Sequence, residues 1–209
     1  MNGQCVGIDV GTRNLSVTVV ENGKFVYCAL VNLKKGKPIK DEIERLVEFL
    51  NQRFGRFWIV GIENQIRGVM KRVEMLLMEA FKNYAKHVLI IRPQAVKTYF
   101  SYSGLKCYAD RKKVGVDKFM RLCKETGQYD SMFRTIVKGT KKTDDLADSS
   151  LIAYYVFAES EMLLKKKAKK KKPVNLAEWA RKQVFFSVSD MPATSSTSSK
   201  KRKLGETYH

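Results

Sequence analysis

The sequence predicts an α/β fold in which helices flank a mixed five-stranded sheet. Two observations indicate this fold: a strong hairpin signal near the N-terminus, and an alternation of strand-like and helix-like apolar segments after it. Asn22-Gly23 separates the two hairpin strands and readily takes the positive φ angles of a tight type I′ turn. An antiparallel hairpin followed by parallel crossovers gives a mixed sheet.

The predicted elements follow in the order βββαβαβα. The strands are short apolar runs, at Gln4–Val10, Ser16–Val20, Lys24–Val31, Phe57–Ile62 and His87–Ile91. The helices carry apolar residues three and four positions apart, over Pro38–Phe54, Arg67–Lys86 and Asp145–Glu159. The last helix is apolar nearly all round after its first turn, so we expect it to be buried.

The composition divides the chain in two. Residues 1–160 have the pattern of one folded domain, whereas residues 161–209 form a basic tail that we expect to be partly disordered. The tail contains the lysine run Lys165–Lys172 and the basic cluster Lys200–Lys203. Either could be a nuclear import signal or a non-specific DNA tether, and the sequence does not separate the two.

The charge balance points to nucleic acid. The chain has 40 Lys and Arg against 21 Asp and Glu, a formal net charge of +19, and the excess persists without the tail. Such a surface attracts polyanions, of which nucleic acid is the usual one. The sequence lacks an apolar run of about 20 residues that could span a bilayer, and it lacks a secretory signal pattern. We therefore predict an intracellular protein with no membrane partner.

The cysteines and histidines exclude several kinds of chemistry. Four cysteines without paired spacing and two histidines argue against a zinc site and against Ser–His or Cys–His nucleophilic catalysis. We interpret the cysteines as reduced thiols packed as small apolar side chains. Any catalysis must then depend on carboxylates, lysines or metals.

Four acidic residues lie where carboxylates are costly. Asp9 lies inside the apolar run Cys5–Val10, and Glu63 directly follows a predicted strand. Asp145 and Asp148 are three residues apart, on one helix face. Gathered carboxylates repel one another unless a divalent cation lies between them, and oxygen ligands suit Mg²⁺ or Mn²⁺. Two such ions about 4 Å apart could activate water and stabilise the leaving 3′ oxygen in phosphodiester hydrolysis.

Each of these acids also has a purely structural interpretation. Asp9 could cap a turn, and Glu63 could begin a solvent-exposed loop. Asp144 or Asp145 could complement the helix dipole after a Thr143 cap, which is the favoured interpretation for Asp144. The four acids together favour a metal site, because carboxylates in a chain that binds an anion repel phosphate unless a metal intervenes.

Three segments resemble the RuvC family of Holliday junction resolvases in their order and spacing: Val6–Asn14, Ile62–Gln65 and Lys141–Asp148. The resemblance covers about residues 4–160, and it is to the branch found in poxviruses, other large DNA viruses and fungal mitochondria. It implies an RNase H-like fold, a homodimer and paired symmetric nicks across a four-way DNA junction. It also implies two Mg²⁺ ions per active site, with Mn²⁺ as a substitute, and action at the site of viral DNA replication, in cytoplasm or nucleus.

The resemblance also assigns roles to residues. It assigns metal binding and catalysis to Asp9, Glu63, Asp145 and Asp148, with Asp144 as the alternative to Asp145. The helix Arg67–Lys86 corresponds to the family's dimer-forming helix, although its apolar face could instead pack on its own sheet. Bacterial members open the junction with an aromatic residue shortly after the glutamate, whereas Ile66 and Arg67 stand here.

Basic residues around the proposed site are candidates for phosphate contacts, against the alternative that any one of them is merely solvated. Those expected near the carboxylates are Arg13, Arg67, Lys71, Arg72, Lys141 and Lys142. Arg111, Lys112 and Lys113 are expected further out, in a loop. The aromatic residues of Thr98–Tyr102 could stack on exposed bases or pack in the core.

Three other functions compete with a resolvase. Gly7–Thr12 also resembles the phosphate loop of the superfamily of actin, chaperone ATPases and sugar kinases, but the second nucleotide loop of that superfamily is missing from the sequence. We therefore predict no nucleotide cofactor. The others are an RNase H-like nuclease that cuts RNA–DNA hybrids or other branched DNA, and a non-enzymatic DNA-architecture protein.

Overall fold

The computed structural model describes residues 3–11, 14–33, 38–66, 68–129 and 143–169. The strands are β1 (Cys5–Asp9), β2 (Asn14–Glu21), β3 (Lys24–Asn32), β4 (Phe57–Glu63) and β5 (Ala85–Ile91). The helices are α1 (Ile39–Phe54), α2 (Gly68–Phe81), α3 (Pro93–Tyr99), α4 (Tyr108–Glu125) and α5 (Thr143–Lys169). No helix in these ranges is long and apolar enough to cross a membrane.

The five strands form one mixed sheet in the order β3-β2-β1-β4-β5. The hairpin strands β2 and β3 pair antiparallel with one another, and β2 pairs antiparallel with β1. Beyond β1, β4 and β5 are parallel to it and to each other. Asn22 and Gly23 have φ angles of 51° and 76°, as the hairpin turn requires. The predicted mixed five-stranded sheet with flanking helices is confirmed.

Helix α5 packs closely on the centre of the sheet because two glycines, which have no side chain, leave space for it. Gly7 of β1 and Gly61 of β4 are neighbours in the parallel ladder. A Cβ atom on Gly7 would lie 2.2 Å from the carbonyl oxygen of Ser149 in α5, and one on Gly61 would lie 2.8 Å from Cγ1 of Val156. The backbone of α5 therefore lies directly against β1, which fixes the start of the helix beside the ends of these strands.

Buried hydroxyl groups link α5 to β2. The Ser16 and Ser149 hydroxyls are 2.5 Å apart, and the Thr18 hydroxyl lies 2.9 Å from that of Ser149 and 3.0 Å from that of Ser150. All four side chains are buried. Because a hydroxyl can both donate and accept, the cluster satisfies its own members and holds α5 in one register on the sheet.

The opposite face of the sheet is covered by α1 and α2. Alternation along β1 directs Val6 and Ile8 to this face, away from α5. Tyr27 of β3 contacts Phe49 and Phe54 of α1 at ring distances of 6.1 Å and 5.5 Å. The buried residues of α1 and α2 are mainly apolar: Ile43, Leu46, Val47, Leu50, Val73, Leu77, Met78 and Phe81, with Glu74 as the exception.

The predicted element order was incomplete, because it lacked α3 and α4. The buried positions of α4, Gly115, Phe119, Leu122 and Cys123, are four, three and one residues apart, which is helical spacing. This signal is present in the sequence but is sparse among charged residues. Since Arg111, Lys112 and Lys113 belong to α4, their predicted placement in a loop was wrong.

Two helix boundaries also differ from the prediction. Helix α2 ends at Phe81 rather than Lys86, because β5 begins at Ala85 and Phe57 donates its N–H to the Tyr84 carbonyl at 2.8 Å. Helix α5 continues to Lys169 instead of ending at Glu159. It therefore runs past the proposed domain boundary at residue 160, and that boundary stays a prediction. The tail beyond Lys169 lies outside the described residues.

Candidate active site

The ends of two parallel strands bring Asp9 and Glu63 together. Ile8 of β1 pairs with Ile62 of β4, so the next residue on each strand lies at the same carboxyl edge of the sheet. Open α/β sheets commonly bind ligands at this edge. Both side chains are half-buried, and their carboxyl groups interact through a hydrogen bond. Two carboxyl groups that interact in this way favour a proton or a cation between them.

The first turns of α5 supply the other two predicted carboxylates. Asp145 and Asp148 lie three residues apart, and the close packing of Ser149 on Gly7 sets their distance from β1. Together with Asp9 and Glu63 they line one cleft of about 250 Å³. The structure thus gathers all four predicted residues from three separate elements.

The cleft carries more negative charge than its surroundings compensate. Burial, reinforced by the charge of Glu63, raises the pKa of Asp9 to about 9. Burial and then the charge of Asp9 raise the pKa of Asp148 to about 7. The pKa of Glu63 is also raised by burial, although hydrogen bonds from Asp9 and Gln65 act in the opposite direction. A bound cation would favour the ionised forms of these carboxyl groups.

The donor set fits a hard divalent cation. All four groups offer carboxylate oxygens, the ligands that Mg²⁺ and Mn²⁺ prefer. A cation between them would also compensate their mutual repulsion. Within the ranges that the structure covers, no three Asp, Glu, His or Cys side chains already converge as a set that could hold one metal ion. The four carboxylates line a common cleft without meeting at one point.

Three cationic side chains lie in the same cleft. Lys97 of α3 and Arg111 and Lys112 of α4 line it together with the carboxylates. The placement of Arg111 and Lys112 further from the site was therefore wrong, because α4 packs against α5 and brings them in. Sequence reasoning missed Lys97. Lys97 lies one turn after Pro93, just beyond β5, at the sheet edge where β4 ends. This position next to a strand end could have identified it as a site residue.

Lys112 lies within ion-pair distance of both Asp144 and Asp145. It forms an ion pair with Asp144, and its Nζ lies 3.6 Å from Oδ1 of Asp145. Although burial opposes the effect, the hydrogen bond and charge of Lys112 lower the pKa of Asp144. Asp145 is among the residues that line the cleft and Asp144 is not, and the choice of Asp145 as the ligand stays a prediction.

Two tyrosines complete the wall of the cleft. Tyr102 is buried, and burial together with the charges of Asp148 and Glu63 raises its pKa. Tyr108 is exposed at the start of α4. A Cβ atom on Gly115 would lie 3.7 Å from Asp148 Oδ1 and 3.9 Å from the Tyr102 hydroxyl, so α4 approaches both residues closely.

The remaining candidate DNA contacts differ in their surroundings. Lys71 Nζ is 2.5 Å from Oε1 of the buried Glu74, so this lysine has a partner within the protein. Arg72 and Lys113 are exposed. Four candidates lie outside the described residues: Arg13, Arg67, Lys141 and Lys142. Of the aromatics in Thr98–Tyr102, Tyr99 is exposed, Phe100 packs against the core and Tyr102 is buried.

Comparison with known proteins gives one family and a fold. The model of the family described as poxvirus A22 protein matches residues 5–159. The structure of Thermus thermophilus RuvC superposes with a TM-score of 0.53 at 19% identity, covering 76% of this chain and 96% of that one. T. thermophilus RuvC in complex with a Holliday junction substrate gives a TM-score of 0.48 at 20% identity, with coverage of 76% and 96%. The first likeness confirms the RNase H-like fold. No curated protein sequence matches the chain.

Proposed function

This chain belongs to the poxvirus A22 protein family, the poxvirus branch of the RuvC-like Holliday junction resolvases, and we propose that Asp9, Glu63, Asp145 and Asp148 form its catalytic metal site. The observation that carries the proposal is that these four carboxylates, from β1, β4 and α5, line one cleft that also holds Lys97 and Lys112. The site of a metal-dependent nuclease must bind both a cation and a phosphate, and this cleft offers ligands for each.

We assign Mg²⁺, two ions per site and replaceable by Mn²⁺, as the cofactor of these carboxylates. Bound there, the metal would activate the attacking water and stabilise the leaving 3′ oxygen of the scissile phosphodiester. The protein's own part is to hold the carboxylates on rigid strand and helix ends. Lys97, Arg111 and Lys112 attract the phosphate to a place that the carboxylates alone would make repulsive.

We propose that the chain acts as a homodimer formed through α2 and the segment before it. The apolar residues Ile66, Val69 and Met75 are 89%, 53% and 47% exposed, while Val73 and Leu77 on the other side of α2 are buried against the sheet. Helix α2 thus buries one face in the core of its own chain and also exposes apolar side chains to solvent. A two-fold dimer would present two such clefts to a junction, as paired symmetric nicks require.

We also propose that the protein acts where viral DNA is replicated, in the cytoplasm or the nucleus. The basic clusters Lys165–Lys172 and Lys200–Lys203 would then serve as import signals or DNA tethers. A fluorescent fusion of the full chain, compared with one in which both clusters are changed to serine, tests this. Identical distribution of the two fusions together with identical affinity for DNA would contradict a role for the clusters.

The nuclease proposal is tested with the purified full chain on a synthetic four-way junction, a linear duplex of the same sequence and an RNA–DNA hybrid. We expect paired symmetric nicks in the junction that depend on Mg²⁺. Asp145→Asn should abolish nicking while keeping junction binding, and Asp117→Asn, at an exposed position of α4, should change neither. Equal cutting of duplex or hybrid would contradict junction specificity, and nicking by Asp145→Asn would contradict the metal assignment.

A further inference from the structure

A further buried carboxylate, that of Glu74, lies near Glu63 but outside the cleft. Glu74 belongs to α2, and its side chain is only 1% exposed. Burial of an ionised carboxylate costs several kcal/mol unless hydrogen bonds and an opposite charge compensate it. The partners of Glu74 therefore indicate what this costly group does.

Both carboxylate oxygens of Glu74 are occupied. Oε2 accepts a hydrogen bond from the backbone N–H of Gln65 at 2.6 Å, and Oε1 accepts one from Lys71 Nζ at 2.5 Å. Gln65 is itself buried, and Asn64 donates its N–H to the Ile91 carbonyl at 2.8 Å. Since residues 64 and 65 directly follow β4, these bonds fix the path of the chain where Glu63 leaves the sheet.

The side chain of Gln65 returns to Glu63. Its amide Nε2 donates a hydrogen bond to Oε2 of Glu63 at 2.9 Å. A donor at this place selects one orientation of the carboxylate. The contacts thus run without a break from Glu74 through Gln65 to Glu63.

We infer that Glu74 and Gln65 are positioning residues for Glu63: Glu74 holds the backbone of Gln65, and the Gln65 amide orients the Glu63 carboxylate. The inference rests on the proposed role of Glu63 as a metal ligand. Groups that hydrogen-bond a metal ligand typically change metal affinity or activity about 10- to 100-fold when they are removed. An effect of that size separates positioning from general support of the fold.

The test measures Mn²⁺ binding to the full chain by calorimetry, single-turnover nicking of the junction, and junction affinity without divalent metal. Gln65→Leu keeps the size of the side chain but removes the donor, so we expect Mn²⁺ affinity and the nicking rate to fall about 10-fold or more. Junction affinity without metal should stay at the wild-type value. The matched control Glu48→Gln changes an exposed carboxylate of α1 and should alter none of the three.

Variants of Glu74 test whether the contact of Glu74 with the Gln65 backbone also matters for metal binding. Glu74→Leu should reproduce the effect of Gln65→Leu, whereas Glu74→Gln, which keeps an oxygen for the Gln65 N–H, should recover most of the Mn²⁺ affinity. Because the two residues act in series, the double variant Gln65→Leu/Glu74→Leu should bind Mn²⁺ no more weakly than the weaker single variant. Wild-type Mn²⁺ affinity in folded Glu74→Leu, with only a lower Tm, would overturn the role of Glu74.

Glu63→Gln separates this inference from the function on which it rests. If Glu63→Gln loses Mn²⁺ affinity while Gln65→Leu keeps the wild-type value, Gln65 does not position Glu63, and the assignment of Glu63 as a metal ligand is supported. If Glu63→Gln itself binds Mn²⁺ with wild-type affinity, Glu63 is not a ligand. The positioning roles inferred for Gln65 and Glu74 are then wrong as well.

Discussion

The two faces of the sheet are built differently. On one face, α1 and α2 pack mainly through aliphatic and aromatic side chains such as Leu50 and Leu77. On the other, α5 packs on the sheet through apolar side chains such as Val156 and, unlike the first face, also through Gly7, buried hydroxyls and half-buried carboxylates. The first face gains stability from burial of apolar area, whereas the second gives up part of that gain to position charged groups. Most of the polar groups that serve the cleft therefore lie on the α5 side of the sheet, and the buried Glu74 of α2 is the exception on the other side.

The largest expected effect comes from closing the space between β1 and α5. In Gly7→Val, the added Cβ would lie 2.2 Å from the Ser149 carbonyl oxygen and 2.3 Å from the Ala153 nitrogen, and backbone atoms cannot move aside cheaply. We expect a loss of roughly 3–5 kcal/mol in the free energy of unfolding, measured by urea denaturation, and loss of nicking. Gly104→Ala, with nothing within 4 Å of its Cβ, is the control. Equal stability of the two variants would mean that α5 does not pack as closely as described.

A cavity on the α1/α2 face should cost stability without altering the cleft. Leu77 is fully buried, so Leu77→Ala should lower the free energy of unfolding by about 3 kcal/mol. At a temperature where the variant is still folded, its Mn²⁺ affinity should equal that of the wild type. A large loss of Mn²⁺ affinity in the folded variant would show that α2 affects the cleft through its packing as well as through the contact of Glu74 with Gln65.

Removal of a cleft carboxylate should stabilise the metal-free protein in a pH-dependent way. Asp9 has a folded-state pKa of about 9, above the ordinary value near 4, so its contribution is favourable below pH 4 and is lost as the pH rises towards 9. Asp9→Asn removes that loss, and at pH 8 we expect it to raise the free energy of unfolding by about 1–3 kcal/mol relative to wild type.

The gain from Asp9→Asn should shrink towards pH 5, as followed by urea denaturation at each pH in the presence of a chelator. Mg²⁺ should stabilise the wild type more than the variant, because only the wild type retains all four carboxylates. A gain independent of pH would contradict the described burial of Asp9.

The smallest effect concerns the hydroxyl cluster that sets the register of α5. Ser149→Ala removes the hydrogen bonds of Ser149 to both Ser16 and Thr18, and of these two only Thr18 keeps the contact with Ser150. We expect a loss of about 1–2 kcal/mol in unfolding free energy and a modest loss of Mn²⁺ affinity. Ser103→Ala, at an exposed position, serves as the control for both measurements. Unchanged Mn²⁺ affinity together with reduced stability would limit the cluster to a structural role.

The sequence predicts the carboxylates better than their surroundings, for a physical reason. Asp9 and Glu63 stand at strand ends, and parallel strands necessarily place such residues at one edge. Asp145 and Asp148 share a helix face through local geometry alone. The place of Lys112 instead depends on how α4 packs against α5, a contact between residues far apart in the chain that no local pattern specifies.

The contacts of Glu74 were equally out of reach of sequence reasoning. Its position in a predicted amphipathic helix gives no sign that it is buried or that it accepts the Gln65 N–H. The misplaced end of α2 at Lys86 has a similar origin, because helical spacing continues through the turn and only strand pairing at Ala85 ends it. Local patterns identified the elements, and tertiary contacts set their limits.

The most direct test of the central claim is the anomalous diffraction of Mn²⁺ in crystals of the full-length chain. We expect Mn²⁺ in the cleft, coordinated by oxygens of Asp9, Glu63, Asp145 and Asp148, with Asp144 still paired to Lys112. Mn²⁺ bound at Asp144 in place of Asp145, or a cleft that stays empty at saturating Mn²⁺, would contradict the claim that these four carboxylates form the metal site.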